Sequence, residues 1–373
     1  MLSQRFKRFK QFKQFKQFKP QIFFVIMVIM AMGIKACAPT QPPADQAASP
    51  TDQAAQPQTE TTAADLQGDV VIDGSSTVFP ITEAMAEEFQ QANPNVRVTV
   101  GTSGTGGGFE KFCAGETAIA NASRPIEADE KALCQNGGIE FVELPVAFDA
   151  LTVVVHPDNT WARELTTAEL RQMWEPAAQG EITNWNQIRP DFPDAPLSLF
   201  GPGTDSGTFD YFTEAVNGEE GASRGDFTAS EDDNVLVQGV AEDENALGYF
   251  GLAYYEANQD RLERVAIDDG DNANGTGFVL PSPETVLDGT YQPLARPLFV
   301  YVNAEKLDRP EVRAFVDFYL NPANQGLVSE AGYIAMSEPI YQKVQARLSE
   351  RTTGSLFEGV AVGVNLEEIL ASQ

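Results

Sequence analysis

Three stretches of the chain gather small hydroxyl residues and glycines where an apolar strand gives way to a helical pattern. They are Asp73-Gly-Ser-Ser-Thr-Val-Phe-Pro80, Gly101-Thr-Ser-Gly-Thr-Gly-Gly-Gly108 and Gly201-Pro-Gly-Thr-Asp-Ser-Gly-Thr208. A helix start offers backbone N–H groups with no partner inside the helix, and glycine lets that backbone come close to an anion. Each start carries roughly +0.5 of a charge, so three together approach the charge of a phosphate group near neutral pH. Taken singly, each stretch is also an ordinary N-cap, because Ser, Thr, Asp and Gly are favoured there. Three alike, in one chain, point to an oxyanion held on loops.

A fourth segment, Asn121-Ala-Ser-Arg-Pro125, adds the hydroxyl of Ser123 and the guanidinium fork of Arg124, which can serve two oxygens at once. The alternative for Arg124 is an ion pair in an acidic protein. Asp205 is a negative charge among proposed anion ligands. Facing inward, it would accept the proton of monohydrogen phosphate and repel sulfate, which has none to give; otherwise it caps the helix beginning near Gly207. The single histidine, His156, closes the apolar run from Leu151 and reads as structural. With one imidazole the chain is poorly equipped for metal or general acid–base work, so no metal, no cofactor and no enzymatic activity are expected. A secreted phosphatase or serine hydrolase using Ser206 is the alternative from another class, but Asp-Ser-Gly-Thr lacks the Gly-x-Ser-x-Gly elbow.

These loops need a frame. Val70-Val71-Ile72 reads as a strand and Val78, Ile81, Met85 and Phe89 as a helix face. Val96, Val98 and Val100 alternate as a strand, and a glycine loop then leads to a helix carrying Phe109 and Phe112. Leu165 to Leu170 looks like a capped helix start; Leu197 to Phe200 and Ala246 to Phe250 read as strands, and Thr208 to Val216 as a helix. The alternation predicts an α/β fold. Two extended segments, Ala150 to Val155 and Arg296 to Val302, are placed to cross between lobes. That gives lobe I as residues 69–150 and 297–373 and lobe II as 151–296, with the ligand cleft between them at the carboxyl ends of the strands.

Length and charge set the outer limits. At 373 residues the chain suggests about two domains. A net charge of −29 argues against nucleic acid as a partner. It does not exclude an anionic ligand, since surface charges beyond about 8 Å are screened. The amino terminus carries seven basic residues between Arg5 and Lys19, then a 13-residue apolar run from Ile22 to Ile34. That is short for a membrane span, which takes about 20 residues, and it fits a signal peptide over 1–36. Ile34-Lys35-Ala36-Cys37 resembles a lipobox, making Cys37 the candidate for lipidation; cleavage without a lipid and an uncleaved anchor are the alternatives. Removal of residues 1–36 takes away eight basic groups and no acids, which moves −29 to −37. Residues 37–68 are a flexible linker rich in Ala, Pro, Gln and Thr. Cys113 and Cys134, in an exported domain, are expected to pair, with a free buried pair as the alternative.

The segments GSSTVFP, GTSGTGGGF, NASRPI, ELTTAEL with ITNW, GPGTDSGTFDYF and ALGYFGLAYY, in this order, resemble the phosphate-binding (PstS-type) subunit of the bacterial high-affinity phosphate ABC transporter. The resemblance runs from Asp69 to the carboxyl end. It implies a two-lobe periplasmic-binding-protein fold of type II, closing over one phosphate that is passed to ABC permease subunits. It also implies an exported, lipid-anchored monomer in the periplasm or on the outer face of the cytoplasmic membrane. By motif match the ligand contacts fall on Ser76, Thr77, Val78, Thr105, Ser123, Arg124, Asp205, Ser206, Gly207 and Thr208. Better-known members have Asp where this chain has Arg124, and an arginine before the third loop where it has Gly201-Pro202. Acid and base thus exchange lobes. The same fold serving sulfate, molybdate or arsenate is the nearest alternative, and a phosphate sensor or adhesin without a transporter is a further one.

Overall fold

Val70 and Ile72, two residues apart, bury one face of strand β1 (Gly68–Gly74), as the period of a strand requires. Ile81, Met85 and Phe89 bury the facing stripe of helix α1 (Phe79–Ala92), whose first turn holds Pro80 at a position where its missing N–H costs nothing. These elements come from a computed structural model that describes residues 66–204, 206–271, 277–357 and 366–371. The signal-peptide segment, Cys37, nearly all of the linker and Asp205 lie outside the described residues. β1 begins at Gly68, the last residue assigned to the linker.

The chain continues through β2 (Val96–Val100), α2 (Gly104–Cys113), β3 (Ile119–Ala122), α3 (Ala128–Gly137) and the long β4 (Phe141–Val155), buried along its whole length. Next come β5 (Glu164–Thr166), α4 (Thr167–Trp174), β6 (Ser198–Gly201), α5 (Gly207–Asn217), β7 (Thr228–Ala229), α6 (Asp233–Glu242) and β8 (Ala246–Gly251). Then follow α7 (Leu252–Glu256), β9 (Glu263–Arg264), β10 (Ala266–Asp268), α8 (Pro283–Leu287) and β11 (Ala295–Asn303). Helices α9 (Pro310–Tyr319), α10 (Gly326–Glu330), α11 (Glu338–Glu350) and α12 (Leu366–Ala371) close the fold.

One sheet runs through the molecule in the order β2-β1-β3-β11-β4-β8-β6-β7, with β9 beside β4. β1, β2 and β3 are parallel; β11 runs antiparallel to both β3 and β4. β4 exchanges β11 for β8 between Ala150 and Leu151, and β6 lies parallel to β8. The carboxyl ends of β1 and β3 from one side, and of β6 and β8 from the other, therefore converge on the same stretch of β4. In that stretch Arg296 on β11 is the register partner of Asp149 on β4. Both crossing segments expected from sequence are strands of this sheet. The two halves share it as one compact unit.

The glycine segment departs from expectation. Gly104 to Gly108 are not a loop but the first turns of α2. Gly108 lies so close to Gly74 that a Cβ on it would meet the Gly74 Cα at 2.5 Å. The glycines here let a helix seat against the end of β1. A disulfide joins Cys113, at the end of α2, to Cys134 in α3. No helix among the described residues is long and apolar enough to cross a membrane.

Candidate anion-binding site

The first loop leaves β1 at Gly74, whose φ of 139° and contact with the Asn121 backbone leave no room for a side chain. Ser75 N donates to Asn121 O, which ties the first loop to the end of β3. Ser76 is exposed; Thr77 and Val78 are buried. Val78 caps α1 with no side-chain hydrogen bond, and Ser103 likewise makes none to the start of α2. Neither helix start spends a side chain on capping, unlike α4, where Thr166 accepts from Glu169 N, or α6, where Asp232 accepts from Asn234 N; at α1 the Phe79 N–H already donates to Ser75 O and Pro80 has none to give. The Ser103 hydroxyl and N–H are both given to Asp73, which also holds Lys111 at 2.7 Å. Burial raises the Asp73 carboxyl, but the hydrogen bonds from Lys111 and Ser103 outweigh it and hold the group below its ordinary range.

Thr105, in the first turn of α2, meets Ser123 hydroxyl to hydroxyl at 3.1 Å and accepts from Ser123 N at 3.3 Å. Arg124 is engaged elsewhere. Its Nη1 and Nη2 donate to the two oxygens of Glu130 at 2.8 Å each, and its Nε lies 3.2 Å from Glu127. The bond to Glu130 is the chief reason its pKa rises. This is the ion-pair arrangement raised as the alternative for Arg124. The segment itself is pinned from below: Ile126 N donates to the Tyr301 hydroxyl, which donates to the buried Glu143.

The third loop supplies Ser206, Gly207 and Thr208 at the start of α5. The Ser206 hydroxyl accepts from Thr208 N at 3.2 Å, so this residue does cap its helix. Gly207 reaches across the sheet: a Cβ on it would lie 2.5 Å from Thr77 Oγ1 and 3.2 Å from Thr77 N. The start of α5 thus touches the start of α1, and residues from both halves of the sheet meet. His156 is remote in role, accepting on Nδ1 from Asp158 N just beyond β4.

Four residues at this junction escaped the sequence reading. Arg296 stacks 3.7 Å over the Tyr211 ring, points Nη2 at Thr77 Oγ1 at 3.4 Å, and stands 3.5 Å from Asp149 and 3.6 Å from Glu214. Asp149 is buried, which raises its pKa against the pull of Arg296. A signal was present, since Asp149 is the one charge in the apolar run Leu144–Val155 and Arg296 the one charge in Leu294–Val302. Among the described residues no cluster of His, Cys, Asp and Glu is grouped to hold a metal ion.

The model of the PBP superfamily domain matches residues 53–323. The chain belongs to the PBP superfamily. Within it, the chain is 47% identical over 351 residues to protein SphX of Synechocystis sp., covering 94% of this chain and 96% of SphX. It is 38% identical over 287 residues to the phosphate-binding protein PstS of Staphylococcus saprophyticus, covering 76% and 85% respectively. A crystal structure from Planctomyces limnophilus, described as a "possible phosphate binding protein", matches at a TM-score of 0.73 and 47% identity, over 77% of this chain and 99% of that one. The mixed α/β PBP fold expected from sequence is the observed one, and the staphylococcal relative and the Planctomyces structure are named as phosphate-binding proteins rather than enzymes.

Proposed function

We propose that the chain binds inorganic phosphate outside the cytoplasmic membrane and delivers it to an ABC permease. One observation carries the reading: the helix starts of α1 and α5 come into contact across the sheet at Thr77 and Gly207. Helix starts that meet head to head repel one another unless an anion lies between their dipoles. Relatives named phosphate-binding support phosphate as the anion. Ser76, Thr77, Val78, Thr105, Ser123, Ser206, Gly207 and Thr208 form the ligand set, with Arg124 beside them in its ion pair with Glu130 and Asp205 taking the proton of monohydrogen phosphate. Ser206 serves as a cap and a ligand, not as a nucleophile. Export by the signal segment, lipid attachment at Cys37 and a monomeric state complete the proposal, with residues 69–150 and 297–373 as one lobe and 151–296 as the other.

Calorimetric titration of the mature chain with phosphate, sulfate and arsenate tests it. Saturable phosphate binding at one site per chain, undisturbed by an equal concentration of sulfate, is the expected result. Sulfate displacing phosphate at equal concentration would overturn it.

A further inference from the structure

Arg296 stands where both halves of the sheet converge, yet it belongs to none of the hydroxyl loops. Resting on the phosphate reading above, we infer that Arg296 is the positioning cation of the site: it holds Thr77 in place, ties α5 to it, and supplies the positive field that Arg124 does not.

Three observations support this. The first is placement. β11 runs antiparallel to β3, with Phe299 opposite Ala122, so Arg296 lies beyond the carboxyl end of β3, on the edge where the first and third loops open. The second is reach. A single guanidinium touches Thr77 on the first loop, Tyr211 and Glu214 on α5, and Asp149 on β4. Its side chain is only 11% exposed, which keeps its charge poorly screened. The third is the state of its partners. Arg124 gives both its Nη groups to Glu130 at 2.8 Å, with Glu127 beside them, and its charge is cancelled on the spot. The counter-charges of Arg296 stand off at 3.5 and 3.6 Å, and its buried Nε has no acceptor closer than Asp149. A cation held at that distance keeps attraction to spend on a third anion.

The geometry also says why the arginine is on β11. A cation on either set of loops would move with that half of the sheet. One on β11 beside the point where β4 passes from β11 to β8 keeps its place while α1 and α5 come to it. It then bonds to Thr77 and stacks on Tyr211 only when the two are close.

The test is phosphate titration of wild type, Arg296→Gln, Arg296→Lys and Asp149→Asn at two ionic strengths, with the melting temperature of each variant without ligand. Arg296→Gln should weaken phosphate binding at least about tenfold and reduce its salt dependence. Arg296→Lys, which keeps the charge and loses the fork, should recover part of the affinity. Asp149→Asn removes a counter-charge and should tighten binding several-fold, opposite in sign to Arg296→Gln. Should Arg296→Gln fail to fold, the Lys and Asn variants carry the decision. Wild-type affinity and salt dependence in Arg296→Gln, or Asp149→Asn weakening phosphate as the pair's loss of packing would, overturns the inference. A wild-type chain that binds no phosphate overturns the function beneath it instead.

Discussion

Asp210 lies one turn into α5, half-buried, with Glu220 and Glu214 near it and Arg296 opposing them; burial above all, then the two carboxylates, push its pKa up to about 6. A carboxyl whose folded pKa is raised contributes stability that is present below its unfolded pKa, about 3.9, and is lost as pH rises through about 6. Asp210→Asn should therefore stabilise the protein at pH 7, by about 1 kcal/mol once solvent screening is allowed for, and leave it unchanged at pH 4. Thermal melts across that range read the difference. The same charge bears on the ligand. As Asp210 ionises it adds a negative charge beside Arg296, so the affinity advantage of the Asn variant for phosphate should grow, several-fold, between pH 5 and 7. An advantage that is flat with pH would place Asp210 outside the field of the site.

At the scale of elements, α2 and α3 act as a pair because the Cys113–Cys134 bond spans 21 residues and closes the segment that contains β3 and the Ser123–Arg124 turn. Closing a loop of that length limits the unfolded chain by about 3 kcal/mol. The Cys113→Ala, Cys134→Ala double variant should lose roughly that in a urea titration, and with it the hydroxyl contact of Thr105 with Ser123, since both flank the bond. Most of this layer was legible beforehand. Val70 and Ile72, Val96 to Val100, and the Ile81, Met85, Phe89 stripe declared their elements by period, because one face of each is buried and the other is not. The glycines from Gly104 to Gly108 misled, since a helix that must seat against Gly74 needs bare backbone where propensity alone forecasts a loop. The pairing of Asp149 with Arg296 was illegible for another reason. Periodicity reports which face of a strand is buried, not which distant strand it will meet, and only the register of β4 on β11 brings the two charges together.

For the molecule as a whole the decisive contact is the one between Gly207 and Thr77, because it joins the first residue of α5 to the loop that leads into α1, from opposite halves of the sheet. Gly207 is not among the glycines with positive φ, so alanine there meets no backbone strain. At a helix start alanine limits the unfolded chain, and where the native backbone suits it the gain is about 0.4–1 kcal/mol. Yet its Cβ would stand 2.5 Å from Thr77 Oγ1 and 3.2 Å from Thr77 N. A hydroxyl can rotate away; a backbone nitrogen cannot, and the two helix starts must part. Gly207→Ala should then separate stability from binding: the ligand-free melting temperature holds or rises, while phosphate affinity falls at least tenfold, about 1.4 kcal/mol. Phosphate at 100 times the wild-type Kd stabilises a protein that binds it only when folded by about 2.7 kcal/mol, and the variant should show about half that gain or less at the same concentration. If Gly207→Ala instead melts early and binds phosphate as well as wild type, the contact is packing within a rigid body, and the halves of the sheet do not close on the ligand at all.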